Sequence, residues 1–226
     1  MKIQSTKLVY FSPTGTTKAV VEGVARGFDT TEIDRVDLTK PATRLQPLQT
    51  GENELLIVGV PVYMGRVPEV IRGWLQSIKA LNTPAVCIVV YGNRVYDDTL
   101  LELKDILTAD GCVPMAAGTF IGEHSFSSDE TPIASGRPDN RDLSQTEEFG
   151  QTIRKKLDAI LSVEEIEELN VPGEFPYRGE TILWDVDFIA VNNDCIQCLI
   201  CAEVCPSGAI DFENSRLIDQ EECITC

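Results

Sequence analysis

The chain has 226 residues, 43% of them hydrophobic, and a formal net charge of −17. That length suits one medium domain plus a small one, and the apolar share is enough for a real core. No apolar run approaches the roughly 18–20 residues of a membrane helix, and "MKIQSTKLVYFSPTG" has too short an apolar stretch for a signal peptide, so a cytoplasmic protein is expected.

The first 161 residues alternate strand-like and helix-like segments. "KLVYFS" (7–12) is a short apolar run rich in β-formers. After it, Val20, Val21, Val24, Ala25 and Phe28 recur at the spacing of one helix face. "EIDRVDL" (32–38) alternates like a half-exposed edge strand. The 39–53 connection lacks a helical pattern, and its Pro41 and Pro47 favour a loop or a single turn. "ELLIVGVPVY" (54–63) is a buried strand running into a loop. Pro68 then opens a helix as a first-turn residue, with Val70, Ile71, Trp74, Leu75 and Ile78 facing inward. "PAVCIVVYG" (84–92) is another fully apolar strand. Asp97 or Asp98 is placed to cap a helix carrying Leu100, Leu103, Ile106 and Leu107. "CVPMAAGTFIG" (112–122) is the last strand, and "SQTE" (144–147) has the capping-box form before Phe149, Ile153, Leu157 and Ile160.

Five strands with intervening helices make an α/β, doubly wound, five-stranded parallel sheet. Residues 1–161 form that domain, residues 162–183 an acidic linker rich in Pro and Gly, and a cysteine-rich end begins near Trp184 and fills 184–226. The charge is lopsided: residues 162–226 hold 15 acidic and 2 basic side chains (net −13), leaving 21 and 17 (net −4) for residues 1–161. Such a tail excludes nucleic acid and anionic membranes as natural partners and suits docking on basic protein faces, although solubility alone would also account for it.

Three loops fall at the carboxyl edge of the expected sheet, where open parallel sheets bind ligands. "SPTGTT" joins the first strand to the first helix, so helix N–H groups and the hydroxyls of Ser12, Thr14, Thr16 and Thr17 converge on an anion site, and Gly15 permits close backbone approach. It matches neither the Walker A nor the G-x-G-x-x-G pattern, and a phosphate held without lysine suits a monophosphate. "PVYMGRVP" (61–68) and "YGNRVYDD" (91–98) each offer glycine and a tyrosine that could stack on a planar ring.

Together the three loops resemble those of flavodoxins over about 160 residues, with Ser12, Thr14, Gly15 and Thr17 matching the family's T/S-x-T-G-x-T pattern. The resemblance implies strand order 2-1-3-4-5 and bound FMN. Ser12, Pro13, Thr14, Gly15, Thr16 and Thr17 would hold the phosphate. Pro61, Val62, Tyr63, Met64 and Gly65 would line one side of the isoalloxazine, and Tyr91, Gly92, Asn93, Tyr96 and Asp97 the other, with Tyr96 the expected stacking ring. The long 123–142 loop either lids that site, contacts the tail, or is a polar insertion. Cys87 and Cys112 lie inside strands and read as small buried apolar residues.

The other six of the eight cysteines fall in the last 32 residues. With no sign of export, disulfides are disfavoured and metal binding is the better reading. The only histidine, His124, lies far from them in sequence, so the site is all-thiolate. "CIQCLICAEVCP" (195–206) is the C-x2-C-x2-C-x3-C-P run of bacterial ferredoxins, a spacing very rarely used for zinc. In two-cluster ferredoxins the fourth cysteine of each run ligates the other cluster. The resemblance therefore implies an α+β ferredoxin-like domain in which Cys195, Cys198 and Cys201 bind one [4Fe–4S] cluster. Cys205 would join Cys223 and Cys226 on a second. Each set is one thiolate short, so the domain is expected to be truncated here, the native chain continuing as x2-C-x3-C-P. The resulting expectation is an electron carrier relaying between clusters, FMN and basic redox partners. The alternatives are a flavin-dependent oxidoreductase that reduces a small acceptor, with the ferredoxin part as its electron inlet, and a non-redox metal module on a flavin-free scaffold.

Overall fold

The computed structural model describes residues 1–28, 32–179 and 189–226. In chain order these form β1 (Ser5–Tyr10), α1 (Thr16–Phe28), β2 (Ile33–Asp37), a 3-10 turn (Pro41–Leu45), β3 (Gln49–Thr50) and β4 (Glu54–Pro61). There follow α2 (Glu69–Leu75), β5 (Lys79–Ala80), β6 (Thr83–Tyr91), α3 (Thr99–Ala109), β7 (Cys112–Ile121), α4 (Asn140–Asp158), a 3-10 turn (Val163–Glu165) and α5 (Ile200–Val204).

The main sheet runs β2-β1-β4-β6-β7, and every pairing in it is parallel. Counting only its own five strands, that is the order 2-1-3-4-5 of the flavodoxin-like fold. β3 and β5 make a separate two-residue pair. The central strands are apolar throughout because both faces are covered. Side chains alternate across a strand, so Val9, Leu56, Val58, Cys87 and Val89 enter one core with α2 and α3. Leu8, Leu55, Ile57, Val86 and Ile88 enter the opposite core with α1 and α4. β2 is the exposed edge its alternation indicated. α1 and α4 touch backbone to backbone: a Cβ on Gly27 would lie 1.9 Å from Glu147 O, and one on Gly150 2.0 Å from Val24 O.

Three helix starts differ from expectation. α4 begins at Asn140, where Asp139 and Asp142 form the capping box, and Ser144 and Glu147 are already inside the helix. The acidic pair at the real start competes better for the first-turn N–H groups than a serine one turn later. Pro68 occupies the N-cap position of α2, one residue outside the first turn. Asp98 is the N-cap residue of α3, but its side chain makes no cap hydrogen bond; it holds the linker instead. The expected boundary near Trp184 lies outside the described residues. None of the described helices is long and apolar enough to cross a membrane.

Candidate functional site

The carboxyl ends of β1, β4, β6 and β7 open into a cleft of about 470 Å3. It lies where the strand order reverses between β1 and β4, the general ligand position of such sheets. Each of the three sequence-marked loops reaches it. Pro13, Thr14, Thr16 and Thr17 line one end, Pro61 to Gly65 a second wall, and Tyr91, Gly92 and Asp97 a third.

The hydroxyl loop presents hydrogen-bond donors to the cleft. The first turn of α1 leaves N–H groups without intrahelical partners. Thr17, buried, lines the cleft with an Oγ1 that has no hydrogen-bond partner among the described residues. A buried unpaired hydroxyl costs free energy, and a phosphate oxygen would relieve it. Ser12, by contrast, does not line the cleft. Its Oγ accepts from Lys18 N at 3.0 Å and its N–H donates to Thr39 Oγ1 at 2.8 Å, so it shapes the loop from below. Gly15 turns the chain at φ +86°, also outside the lining.

The second wall is a tight turn. Tyr63 and Arg66 exchange both backbone hydrogen bonds (3.1 and 2.9 Å), with Met64 at φ 51° and Gly65 at φ 79° between them. Two successive positive φ values mark a type I′ turn. Arg66 is fixed by a bidentate pair with buried Glu102 (2.9 and 2.7 Å), which also accepts Val67 N–H at 2.9 Å. The turn is boxed in: a Cβ on Gly65 would lie 2.6 Å from Asp97 Oδ2, and one on Gly179 of the linker 2.3 Å from Met64 O.

The third wall puts Tyr91 in the cleft, not Tyr96. Tyr96 packs against the core and edge-on to Tyr91, with centroids 5.5 Å apart, so it supports the ring that faces the cleft. Asn93, at φ 58°, turns the chain outside the lining. Arg94 and Val95 of the same loop do line it.

Other lining residues carried less signal. Gly122, Glu123, His124, Ser125 and Phe126, where the long loop leaves β7, form a further wall. The long 123–142 loop carries all of them but Gly122, which ends the last strand expected from the sequence; His124 by itself suggests a structural residue more than a catalytic one. Ile224 and Thr225, between Cys223 and Cys226, line the cleft too. Nothing in the sequence indicated that placement.

In the cysteine-rich part, α5 lies between Cys198 and Cys205, and an antiparallel bridge joins Ile210 to Ile218. Gln197 and Thr225 hold equivalent positions in "CIQC" and "CITC", and both adopt left-handed backbone, at φ 55° and 50°. The two C-x2-C loops thus carry a left-handed residue at the same position. The Gln197 N–H and the Ser215 hydroxyl lower the Cys195 thiol. At Cys205 burial acts upward, but the hydroxyl and N–H of Ser207 and the N–H groups of Ala209 and Ile210 outweigh it, so the net shift is down. Burial, then the negative charge of Cys205 and Cys223, raises the thiol of Cys226. Cys198 and Cys201 are exposed. Among the described residues no three Cys, His, Asp or Glu side chains converge as ligands of a single metal ion.

Cys87 and Cys112 are buried in β6 and β7, and burial pushes both thiols up, that of Cys112 to about 12.

Residues 189–211 match the 4Fe-4S binding domain family. No curated protein matches the chain. Among solved structures it resembles a flavodoxin from the domain Archaea, at 14% identity and a TM-score of 0.46, covering 69% of this chain and 99% of that one. A Fusobacterium nucleatum flavodoxin bound to flavin mononucleotide is similar at 13% identity and a TM-score of 0.44, covering 67% and 98%. With such low identities, the fold assignment rests on the strand order itself. The chain joins a flavodoxin-like domain to a 4Fe–4S binding segment.

Proposed function

We propose that the chain is an electron-transfer flavoprotein that relays electrons between [4Fe–4S] clusters and FMN, and on to redox partners with basic docking faces. FMN exchanges one or two electrons and each cluster one. One observation carries the reading: Ile224 and Thr225, inside the last C-x2-C pair, form part of the cleft wall. Ile224 also packs against the same core as Tyr63, and the charge of Cys226 adds to the burial that raises the Tyr63 hydroxyl. A thiolate pair is thereby held beside the ring-flanking wall.

The chain's own residues divide the work. Thr14, Thr16, Thr17 and the first N–H groups of α1 bind the phosphate without a formal positive charge. Tyr63 and Tyr91 flank the ring. The Met64–Gly65 turn, boxed in by Asp97 and Gly179, offers its peptide to the ring edge. Cys195, Cys198 and Cys201 hold one cluster; Cys205, Cys223 and Cys226 hold a second. Joining the modules keeps them at a local concentration on the order of mM, so transfer need not await an encounter.

The test is rapid mixing of the iron- and FMN-loaded chain with substoichiometric dithionite. Flavin reduction that trails cluster reduction at a rate independent of protein concentration supports the relay. A rate proportional to protein concentration overturns it. The second reading, a flavin-dependent oxidoreductase reducing a small acceptor, draws on His124 and Glu123 in the cleft wall. Steady-state turnover of a quinone, lost in His124→Ala, would favour it.

A further inference from the structure

Arg44 lies in the 3-10 turn after β2, far in sequence from any cysteine of the 4Fe–4S segment. Its Nη2 donates to the carbonyl oxygen of Pro206 at 2.5 Å, and Nη1 reaches that of Val70 at 3.5 Å. Among the described residues, the bond to Pro206 is the one hydrogen bond that joins residues 1–161 to residues 189–226. Pro206 directly follows Cys205. Arg44 is only partly exposed and has no carboxylate partner among the described residues. Burial lowers its pKa, and Cys205 is the charge that opposes this. A partly buried cation of the flavodoxin-like domain is therefore held against the residue that directly follows Cys205.

We infer that Arg44 is a positioning residue that raises the reduction potential of the cluster taking Cys205, and does so only while the cysteine-rich segment is docked on the cleft. The inference rests on the relay reading above. Reduction adds one negative charge to a cluster, and a nearby cation stabilises the reduced form, more strongly where water is excluded. The segment from 162 to 226 carries 15 acidic and 2 basic side chains, so its field disfavours reduction of either cluster. Arg44 counters that field at one cluster, and the cation comes from the other domain. Docking and potential are therefore coupled: the cluster beside the cleft accepts an electron most readily when it can pass it on. The segment has an internal comparator. Arg216 Nη2 donates to Cys195 O at 2.8 Å, beside the other thiolate set. Arg216 is exposed, so water screens its charge more effectively.

The test compares Arg44→Gln, which keeps N–H donors and removes the charge, with Arg44→Lys, which keeps the charge. Iron, sulfide and FMN contents are measured first. Each loaded protein is then titrated with dithionite, one electron converting [4Fe–4S]2+ to [4Fe–4S]+, and followed by EPR. In Arg44→Gln, the equilibrium constant for reduction of one cluster should fall about tenfold, ~59 mV for one electron. The other cluster should hold its value, and Arg44→Lys should restore most of the loss. Unchanged potentials in an iron-loaded Arg44→Gln overturn the inference alone. So does an equal shift in Arg44→Lys, which would make the role one of contact and not charge. Loss of cluster in Arg44→Gln with FMN still bound also counts against it. A wild-type chain that takes up no iron overturns the relay reading, and the inference with it.

Discussion

Asp98 Oδ2 accepts the backbone N–H of Arg178 at 2.7 Å, across 80 residues of chain. The same carboxylate accepts Arg178 Nε and Nη2 and Glu174 N–H, each at 3.2 Å. Asp98 has no exposed surface, whereas the Arg178 side chain is 68% exposed. The anchor is thus a buried acceptor for the linker. Next to it, Tyr177 donates its hydroxyl to Asp105 at 2.8 Å and lies under the Arg66 guanidinium. Replacing Asp98 by Ala leaves the Glu174 and Arg178 N–H groups unpaired. The variant should lose about 1.5–3 kcal/mol in urea unfolding, and residues 173–179 should become the first site of proteolytic cleavage.

The same contact has a defined pH window. The Arg178 side chain first, then its N–H and that of Glu174, hold the Asp98 carboxyl at about 2. An unfolded aspartate titrates near ~3.9. Because the folded value is the lower one, the stabilisation is complete above about pH 4 and is lost as pH falls through about 2. The hydrogen-exchange protection factor of the Arg178 amide should be level from neutrality to about pH 4 and decline below it. A decline beginning near pH 6 would contradict this assignment.

Thr17 offers the sharpest check on the anion site, because its buried Oγ1 lacks a partner. Thr17→Val keeps the shape and removes the hydroxyl, so the folded protein should be at least as stable. FMN affinity should fall about tenfold or more, the worth of a hydrogen bond to a charged group. Riboflavin, which has no phosphate, should bind wild type and variant equally. Equal FMN affinity in calorimetry would remove Thr17 from the site.

Gly92 allows His124 to lie against the cleft wall. A Cβ there would meet His124 Cδ2 at 2.3 Å. His124 Nδ1 in turn accepts Phe126 N–H at 3.1 Å, so displacement of the ring would carry Phe126 with it. Gly92→Ala should therefore weaken FMN binding and raise solvent quenching of the bound flavin, with little change in unfolding midpoint. Gly51→Ala, where a Cβ meets nothing within 4 Å, is the matched control.

Thiol chemistry should divide the eight cysteines into six and two. Burial raises the thiols of Cys87 and Cys112 and denies access to them. In native, metal-free protein, iodoacetamide should modify the six from Cys195 onward and spare those two. Iron and sulfide loading beforehand should protect the six. Mass spectrometry of the labelled peptides reads both outcomes.

The sequence by itself determined the layered sheet, because fully apolar strands such as 84–92 need cover on both faces; the strand order came from the resemblance to flavodoxins and is the one the pairing shows. "SPTGTT" and the C-x2-C spacings were equally legible, since short-range geometry puts Thr16 and Thr17 in a first helical turn and sets neighbouring thiols apart by fixed spacers. Helix starts were less legible, because Asp and Ser are near-equal caps, each worth only about 1 kcal/mol over Ala: Asp139 with Asp142 prevailed over Ser144 with Glu147. The choice between Tyr91 and Tyr96 was not legible at all. Both rings belong to one loop, and only the turn at Asn93 and packing against the core direct Tyr91 to the cleft and Tyr96 behind it. The contacts of Asp98 with Arg178 and of Arg44 with Pro206 join residues 80 and 162 positions apart, and Ile224 reaches a cleft built mostly by residues 13 to 126. No local periodicity encodes such pairs, because their energy comes from burying complementary groups of distant segments, and that exists only once the chain has folded.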